Sequence, residues 1–297
     1  MTKSIFDSDL RRQRLRRVAN DYQTYRFLAE RCAQDMGQRL TAINKSFPVI
    51  VNLTDQQGVM SHVIGPLPQS LSGGVTYIEA SEIAEMQGRN GAAKLIADEE
   101  IIPFSAGSVD LFLSILTFQH ANDLPGVLIQ LRRALRPDGL LLAALFGGET
   151  LKELRDALSQ AEIDLLGGMS PRVFPFADVR DAGGLLQRAG FALPVVDSDV
   201  VTVTYGPLID LLRDLRGMGQ SNFLTDRAKK PLTRKFLEKA EAVYRDRHTN
   251  SDGKLMATFE ILYLTGWAPH ESQQQPLRPG TAKARLADAL RTKEEKI

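Results

Sequence analysis

The residues able to do chemistry are few and widely spaced. Four histidines, His62, His120, His248 and His270, form no H-x-x-x-H pair, so the helical spacing that lets two imidazoles share one metal is missing. Cys32 is the only cysteine, which excludes an intramolecular disulfide framework and a multi-thiolate zinc or iron-sulfur site within the chain. No metal site is expected. There is no H-x-D iron motif and no G-x-G-x-x-G after an apolar run, so neither a common non-haem oxygenase nor a nicotinamide dehydrogenase is indicated. Nothing beside His120 supplies the carboxylate and nucleophile of a hydrolase. What remains is a set of polar residues directly following short apolar runs: the segment from Asn52 to Gly58, then Glu79, Asp98 with Glu99, and Ser114 with Gln119 and His120.

Those runs must be the elements that position them. VIVNL at 49–53, VTYIEA at 75–80, AKLIA at 93–97, VDLFLSI at 109–115 and LLLAALF at 140–146 are too short and too continuously apolar for surface helices. They read as strands buried on both faces, as in a parallel sheet covered by helices. Between the last two, Leu124, Val127, Leu128, Leu131 and Leu135 mark one helix face. Asn122 and Asp123 are candidate caps, Pro125 sits in the first turn, and Pro137-Asp138-Gly139 turns into the next strand. The order predicts a doubly wound α/β sheet, whose ligands sit at the carboxyl ends of the strands near the topological switch point.

Around this sheet, residues 1–46 read as basic and helical, with Phe27, Leu28, Met36, Leu40 and Ile43 on one face. Arg11, Arg12, Arg14, Arg16 and Arg17 read either as a solvated face or as a surface for phosphate or acidic protein. Helices are expected at 149–166 and 178–189, with the loop GGMSPRVFPF between them able to cover a site. VVDSDVVTVTY reads as a late strand pair, 207–267 as helical with a Gly-Met-Gly break at 217–219, and 282–291 as a short helix in a polar tail. The expected division is a helical segment 1–46, an α/β domain 47–205 and a helical extension 206–297.

With 297 residues, 43% of them hydrophobic, and a net charge of +1, the chain has the profile of an ordinary globular protein of one large domain with additions, or two. The longest apolar stretch, 140–146, is far short of the roughly 20 residues that cross a bilayer. The amino terminus is charged throughout, without the apolar region of a secretory signal. A cytoplasmic location is expected.

The segments LIADEEIIPFSAGSVDLFLSILTF and LRRALRPDGLLLAALFGG resemble a class I S-adenosylmethionine-dependent methyltransferase over about residues 47–147. A longer series, IFDSDLRRQR, ADEEIIPF, NDLP, FGGETLKELR, GGMSPRVFPF, GMGQSN and GWAPHESQ, resembles the methyltransferase-like assembly factor family of respiratory complex I along nearly the whole chain. The malonyl-carrier-protein methyltransferase of biotin synthesis is a more distant likeness. The resemblance implies a Rossmann-like methyltransferase fold and S-adenosylmethionine as cofactor. It also implies a protein substrate such as a complex I subunit, an association with arginine hydroxylation, and a mitochondrial matrix location in a eukaryote. It implies neither a nucleic-acid partner nor a transmembrane segment, while peripheral membrane contact stays open.

Residue by residue, the resemblance puts Asn52 at the acid that ends strand one, and Thr54, Gln56 and Gly58 at the three glycines of the cofactor loop. Only Gly58 is kept. A β-branched residue at positive φ is a genuine outlier, so either this loop takes another path or its side chains enter cofactor space. Glu79 stands where an acid accepts from the ribose hydroxyls. Asp98, followed by Glu99, stands where relatives contact the adenine amino group, and Ser114 ends strand four on the cofactor side. Gln119 and His120 replace a His-Trp pair that faces the transferred group. Two functions follow: an enzyme that uses the cofactor on a protein side chain, or a pseudoenzyme with a decayed loop that works as an assembly chaperone.

The near-neutral charge is a sum of unlike parts. Residues 1–31 carry eight Lys/Arg against four Asp/Glu, 75–165 carry seven against fourteen, and 226–297 carry fifteen against ten. This predicts an acidic cofactor face, suited to a sulfonium or an arginine-bearing target, with termini free to meet anionic partners.

Overall fold

The computed structural model describes residues 4–53, 57–60, 76–87 and 92–274. Seven strands form one sheet in the order β3-β2-β1-β4-β5-β7-β6. They are β1 (Val49–Leu53), β2 (Thr76–Ser81), β3 (Ala93–Ile96), β4 (Val109–Ile115), β5 (Leu135–Phe146), β6 (Ala192–Tyr205) and β7 (Leu255–Trp267). Strands β1 to β5 pair in parallel, and β7 runs antiparallel between β5 and β6. The order reverses between β1 and β4, which is the switch point where an α/β sheet opens a crevice.

Helices α1 (Ser8–Val18), α2 (Phe27–Thr41), α3 (Leu124–Ala134), α4 (Lys152–Leu166), α5 (Val179–Arg188), α6 (Leu208–Gly217) and α7 (Arg234–Arg247) surround the sheet. One core joins Leu28, Met36, Leu154, Leu211 and Tyr244 from α2, α4, α6 and α7 to one sheet face. The other joins Val127, Leu128, Leu131 and Leu186 from α3 and α5 to the opposite face. The class expected from the sequence, a doubly wound methyltransferase-like sheet, is present.

Local chemistry explains the element ends. Asp123 caps α3 by accepting from the Gly126 N–H at 2.9 Å, with Pro125 in the first turn. Asn122 does not cap; its Oδ1 instead accepts from the Phe6 N–H at 2.8 Å and ties the amino-terminal segment across the sheet end. Asp7 caps α1 through the Leu10 N–H.

Two expectations are corrected. The helical reading of 207–267 holds for α6 and α7 but fails at 255–267, which is the strand β7. Buried on both sides, LMATFEILYLTGW shows no period-two alternation, and such a run cannot be told from a helix by hydrophobicity alone. Its Thr, Phe, Ile, Tyr and Trp content was the signal for strand. The expected strand pair at 195–205 is part of one continuous edge strand, β6, of 14 residues. The helix expected at 282–291 lies outside the described residues.

Candidate functional site

The carboxyl end of β1 carries a fully buried Asn52, whose side-chain N and O have no hydrogen-bond partner. In the parallel register Asn52 lies beside Glu79 of β2, so both side chains leave the same sheet face and bring an amide next to a carboxylate. Ser114, near the end of β4, pairs with Leu53 and so faces the other way; it too is fully buried with an unpartnered hydroxyl. An unsatisfied buried polar group costs about 1–3 kcal/mol. Gly58 takes φ +72°, the left-handed conformation that glycine adopts without penalty. Beside it Gln57 is also left-handed, at φ +46°, and its amide donates to the Ala19 carbonyl at 2.5 Å. Residues 54–56, including Thr54 and Gln56, lie outside the described residues.

The acidic end of the sheet is not open. Arg11 of α1 is buried and pairs with Glu82 at 2.5 Å and Glu99 at 3.3 Å. Arg12 reaches Glu82 at 3.6 Å and Asp98 at 3.7 Å, while Asp98 also accepts from the Glu100 N–H at 2.8 Å. Neither sequence reading of these arginines holds for Arg11, which is not a solvated face and not a free anion site. Helix α1 is anchored there by Leu15 and Ala19 packing with Tyr22, Ile83 and Met86. Only about 10 Å³ of space remains between Leu53, Ala80, Glu82, Asp98, Glu99 and Thr117.

His120 lies after β4, where the chain turns at Leu116 with φ +48°. That left-handed turn costs a non-glycine residue about 1–2 kcal/mol. The Leu116 N–H still donates to Ala144 at 2.7 Å, and its carbonyl accepts from the Gln119 amide at 2.7 Å. The imidazole is walled by Phe223, Phe174 and Phe6, with ring centroids 4.9, 5.4 and 6.1 Å away. Its Nε2 meets Gln220 Oε1 at 2.9 Å. Because that oxygen only accepts, Nε2 carries the proton and Nδ1 keeps its lone pair; Nδ1 is buried without a partner. Burial and the nearby Arg11 cation hold the ring well below the ordinary histidine range, against the pull of Gln220. At neutral pH it is an uncharged acceptor.

The sequence located His120 but not its surroundings. Gln220 comes from GMGQSN and Phe174 from GGMSPRVFPF, which now acquire physical roles. Gly217 lies under the Tyr25 ring, where a Cβ would approach within 2.2 Å, and Gly219 turns the chain at φ +75°. Asn222 donates to the Pro171 carbonyl at 2.8 Å, joining the two segments. Arg172 is fixed by Glu162 at 2.8 Å and lies over Phe236. GWAPHESQ serves the other end of the sheet, where Gln273 and Lys45 both hold Asp138 and Lys45 lies over the half-buried Trp267. Cys32 is buried, which pushes its thiol up to about 12. No helix among the described residues is long and apolar enough to cross a membrane.

This arrangement is that of a class I methyltransferase-like protein. A family model described as a methyltransferase domain matches residues 66–143. The YcgJ protein from Bacillus subtilis superposes with a TM-score of 0.54, covering 81% of this chain and 99% of that one at 12% identity, a likeness of fold alone. The particular family is narrower. The chain is 36% identical over 289 residues to the Danio rerio protein named arginine-hydroxylase NDUFAF5, mitochondrial, spanning 96% of this chain and 89% of that protein, and it belongs to that family. It is also 39% identical over 180 residues to the malonyl-[acyl-carrier protein] O-methyltransferase of Xylella fastidiosa, 61% of this chain and 59% of that one.

Proposed function

We propose that this protein binds S-adenosylmethionine at the carboxyl ends of β1 and β2 and uses it on a protein side chain during assembly of respiratory complex I. The observation that carries the reading is the buried, unpartnered Asn52 beside Glu79. An amide both donates and accepts, and so suits the ammonium and carboxylate of an amino acid, while a carboxylate suits the two ribose hydroxyl donors. Gly58, left-handed at φ +72°, turns the chain just beyond them. When bound, the cofactor supplies an electrophilic methyl group on a sulfonium. His120 Nδ1, kept unprotonated, offers a hydrogen-bond acceptor on the side of the transferred group, and the phenylalanine cage excludes water. Arginine is the side-chain type to which the relatives' name points.

The reading requires α1 to yield part of the space that Arg11 takes among Glu82 and Glu99. That same contact favours a second reading, in which the fold is kept as a binding module and the acids are permanently engaged in cis.

Calorimetric titration with S-adenosylmethionine separates the two. A dissociation constant below about 100 μM, worth more than roughly 5 kcal/mol, is expected, and it should be lost on Glu79→Ala. Absence of heat would overturn cofactor binding. In that case Thr54→Gly with Gln56→Gly asks whether the loop alone is at fault. A purified complex I subunit incubated with protein and cofactor should gain the mass of one methyl group, and an unchanged mass would overturn methyl transfer.

A further inference from the structure

A groove of about 610 Å³ opens beside the His120 cage, between α1, α4, α6 and the segment 220–232. Its volume lies in the range of specific binding pockets. Leucines from α4 and α6, among them Leu154, Leu158 and Leu215, line it, and its rim carries Arg14, Arg216, Lys229 and Lys230. Arg172 and Arg227 in the lining and Arg213 and Arg234 nearby each pair with a carboxylate, whereas those four rim cations form no ion pair among the described residues. Arg14 is instead bound to the neutral Asn222 carbonyl. It is crowded by Arg227, Arg17 and Arg216, and burial with this crowding lowers its affinity for its proton.

Like charges gathered around an apolar floor repel one another until an anion arrives. We propose that this groove docks an acidic segment of the protein substrate, one that alternates carboxylates with apolar side chains; this rests on the reading that the substrate is a protein. Continuity with the site supports the assignment. Arg172, Leu154, Leu215, Gln220 and Asn222 line both the groove and a small cavity of about 40 Å³ under Phe174, and Gln220 holds His120. A segment lying in the groove therefore sits against the residue that orients the imidazole. Its lining contains no aromatic ring, so it lacks the stacking surfaces of a single-stranded nucleic-acid channel. The chain's own residues 275–297, with six Lys/Arg against three Asp/Glu, carry the wrong sign to fill it.

The test is fluorescence anisotropy on the intact protein, with a labelled peptide of alternating glutamate and leucine as probe. A peptide with glutamine in place of glutamate should bind at least roughly tenfold more weakly, and affinity for the acidic peptide should fall as salt is raised. Lys229→Glu with Lys230→Glu should weaken binding by at least roughly tenfold. Lys254→Glu, an exposed cation outside the groove, should leave it unchanged. Equal binding of the two peptides, equal loss with Lys254→Glu, or displacement by polyglutamate, an oligonucleotide or anionic vesicles as effectively as by the probe itself would each overturn the proposal. S-adenosylmethionine titration of the unsubstituted protein beside the peptide measurement keeps the two readings apart. Peptide binding without cofactor heat sinks the cofactor and leaves the groove, and cofactor heat without charge-dependent peptide binding does the reverse.

Discussion

On the β7 side of the sheet Glu260 and Glu153 are buried and fully engaged. Glu260 accepts from the Glu149 N–H at 2.9 Å and the Ser198 hydroxyl at 2.8 Å, and Glu153 accepts from the Thr258 N–H at 3.1 Å and from its hydroxyl. At the β1/β4 end, Asn52, Ser114, Gln119 Oε1 and His120 Nδ1 are equally buried and unpartnered. The two buried carboxylates beside β7 thus differ from the buried polar groups at the β1/β4 end. Where the chain supplies both donor and acceptor, the polar group holds β7 to α4, to the turn before it and to β6. Where it supplies only one, the site keeps hydrogen-bonding capacity for something the chain does not provide. Between these stands Arg11, a charge brought in by α1 that engages Glu82 and Glu99.

The largest effect is expected at that intermediate case. Arg11→Met takes the buried guanidinium away from Glu99 and leaves Glu82 the more distant Arg12, and breaking such a buried pair costs about 3–5 kcal/mol, read as a fall in the urea midpoint. A loss below about 1 kcal/mol would show that the site-end carboxylates are compensated without α1, and would remove α1 from the account of how that end is closed. Next comes the satisfied side. Glu260→Leu strips the Glu149 N–H and the Ser198 hydroxyl of their acceptor and should destabilise by about 2–3 kcal/mol, with no change in cofactor affinity beyond the loss of folded protein. If cofactor heat disappears while the protein stays folded, the two regions are not independent.

The third effect is on pH dependence. His120 is held below its ordinary value of 6.5 in the folded chain. Below pH 6.5 the unfolded chain therefore binds a proton that the native chain refuses, and the stability slope is positive with pH. Stability should fall by about 1.4 kcal/mol per pH unit on acidification below that point, until the folded ring itself takes up the proton. Denaturant curves at about pH 7 and about pH 5.5 check this, and His120→Gln should flatten the slope over that interval. An unchanged slope would mean that the imidazole is solvated and the cage open.

How much of this was legible in the sequence follows from the reach of each interaction. Strands β1 to β5 were readable because short runs buried on both faces leave an unbroken apolar signature, and the polar residues after them fell at the strand ends as expected. β7 carries the same signature directly after helical sequence, and the helical reading of 207–267 therefore runs on into it. His120 was found as an isolated histidine, but its partners lie outside any local pattern. Gln220 is 100 residues away along the chain, and Phe6, Phe174 and Phe223 come from three further segments. Arg11 was misjudged for the same reason. A helical repeat of arginines shows which residues share a face, not that Glu82 and Glu99 are folded against one of them.

The smallest effect on stability is also the sharpest division between the two regions. Asn52→Leu replaces an unpartnered amide with an apolar side chain of similar size on a strand whose neighbours Leu113 and Ile50 are buried hydrophobics. Removing an unsatisfied polar group can be neutral or stabilising, so the denaturation midpoint should stay within about 1 kcal/mol of the parent or rise. At the same time, affinity for S-adenosylmethionine should drop by at least about tenfold, or roughly 1.4 kcal/mol. A residue dispensable for folding but required for binding is one whose hydrogen bonds belong to the ligand. Should Asn52→Leu instead cost more than about 2 kcal/mol, the amide already has a partner in the folded chain, and β1 would join β7 as a region built only to hold itself together.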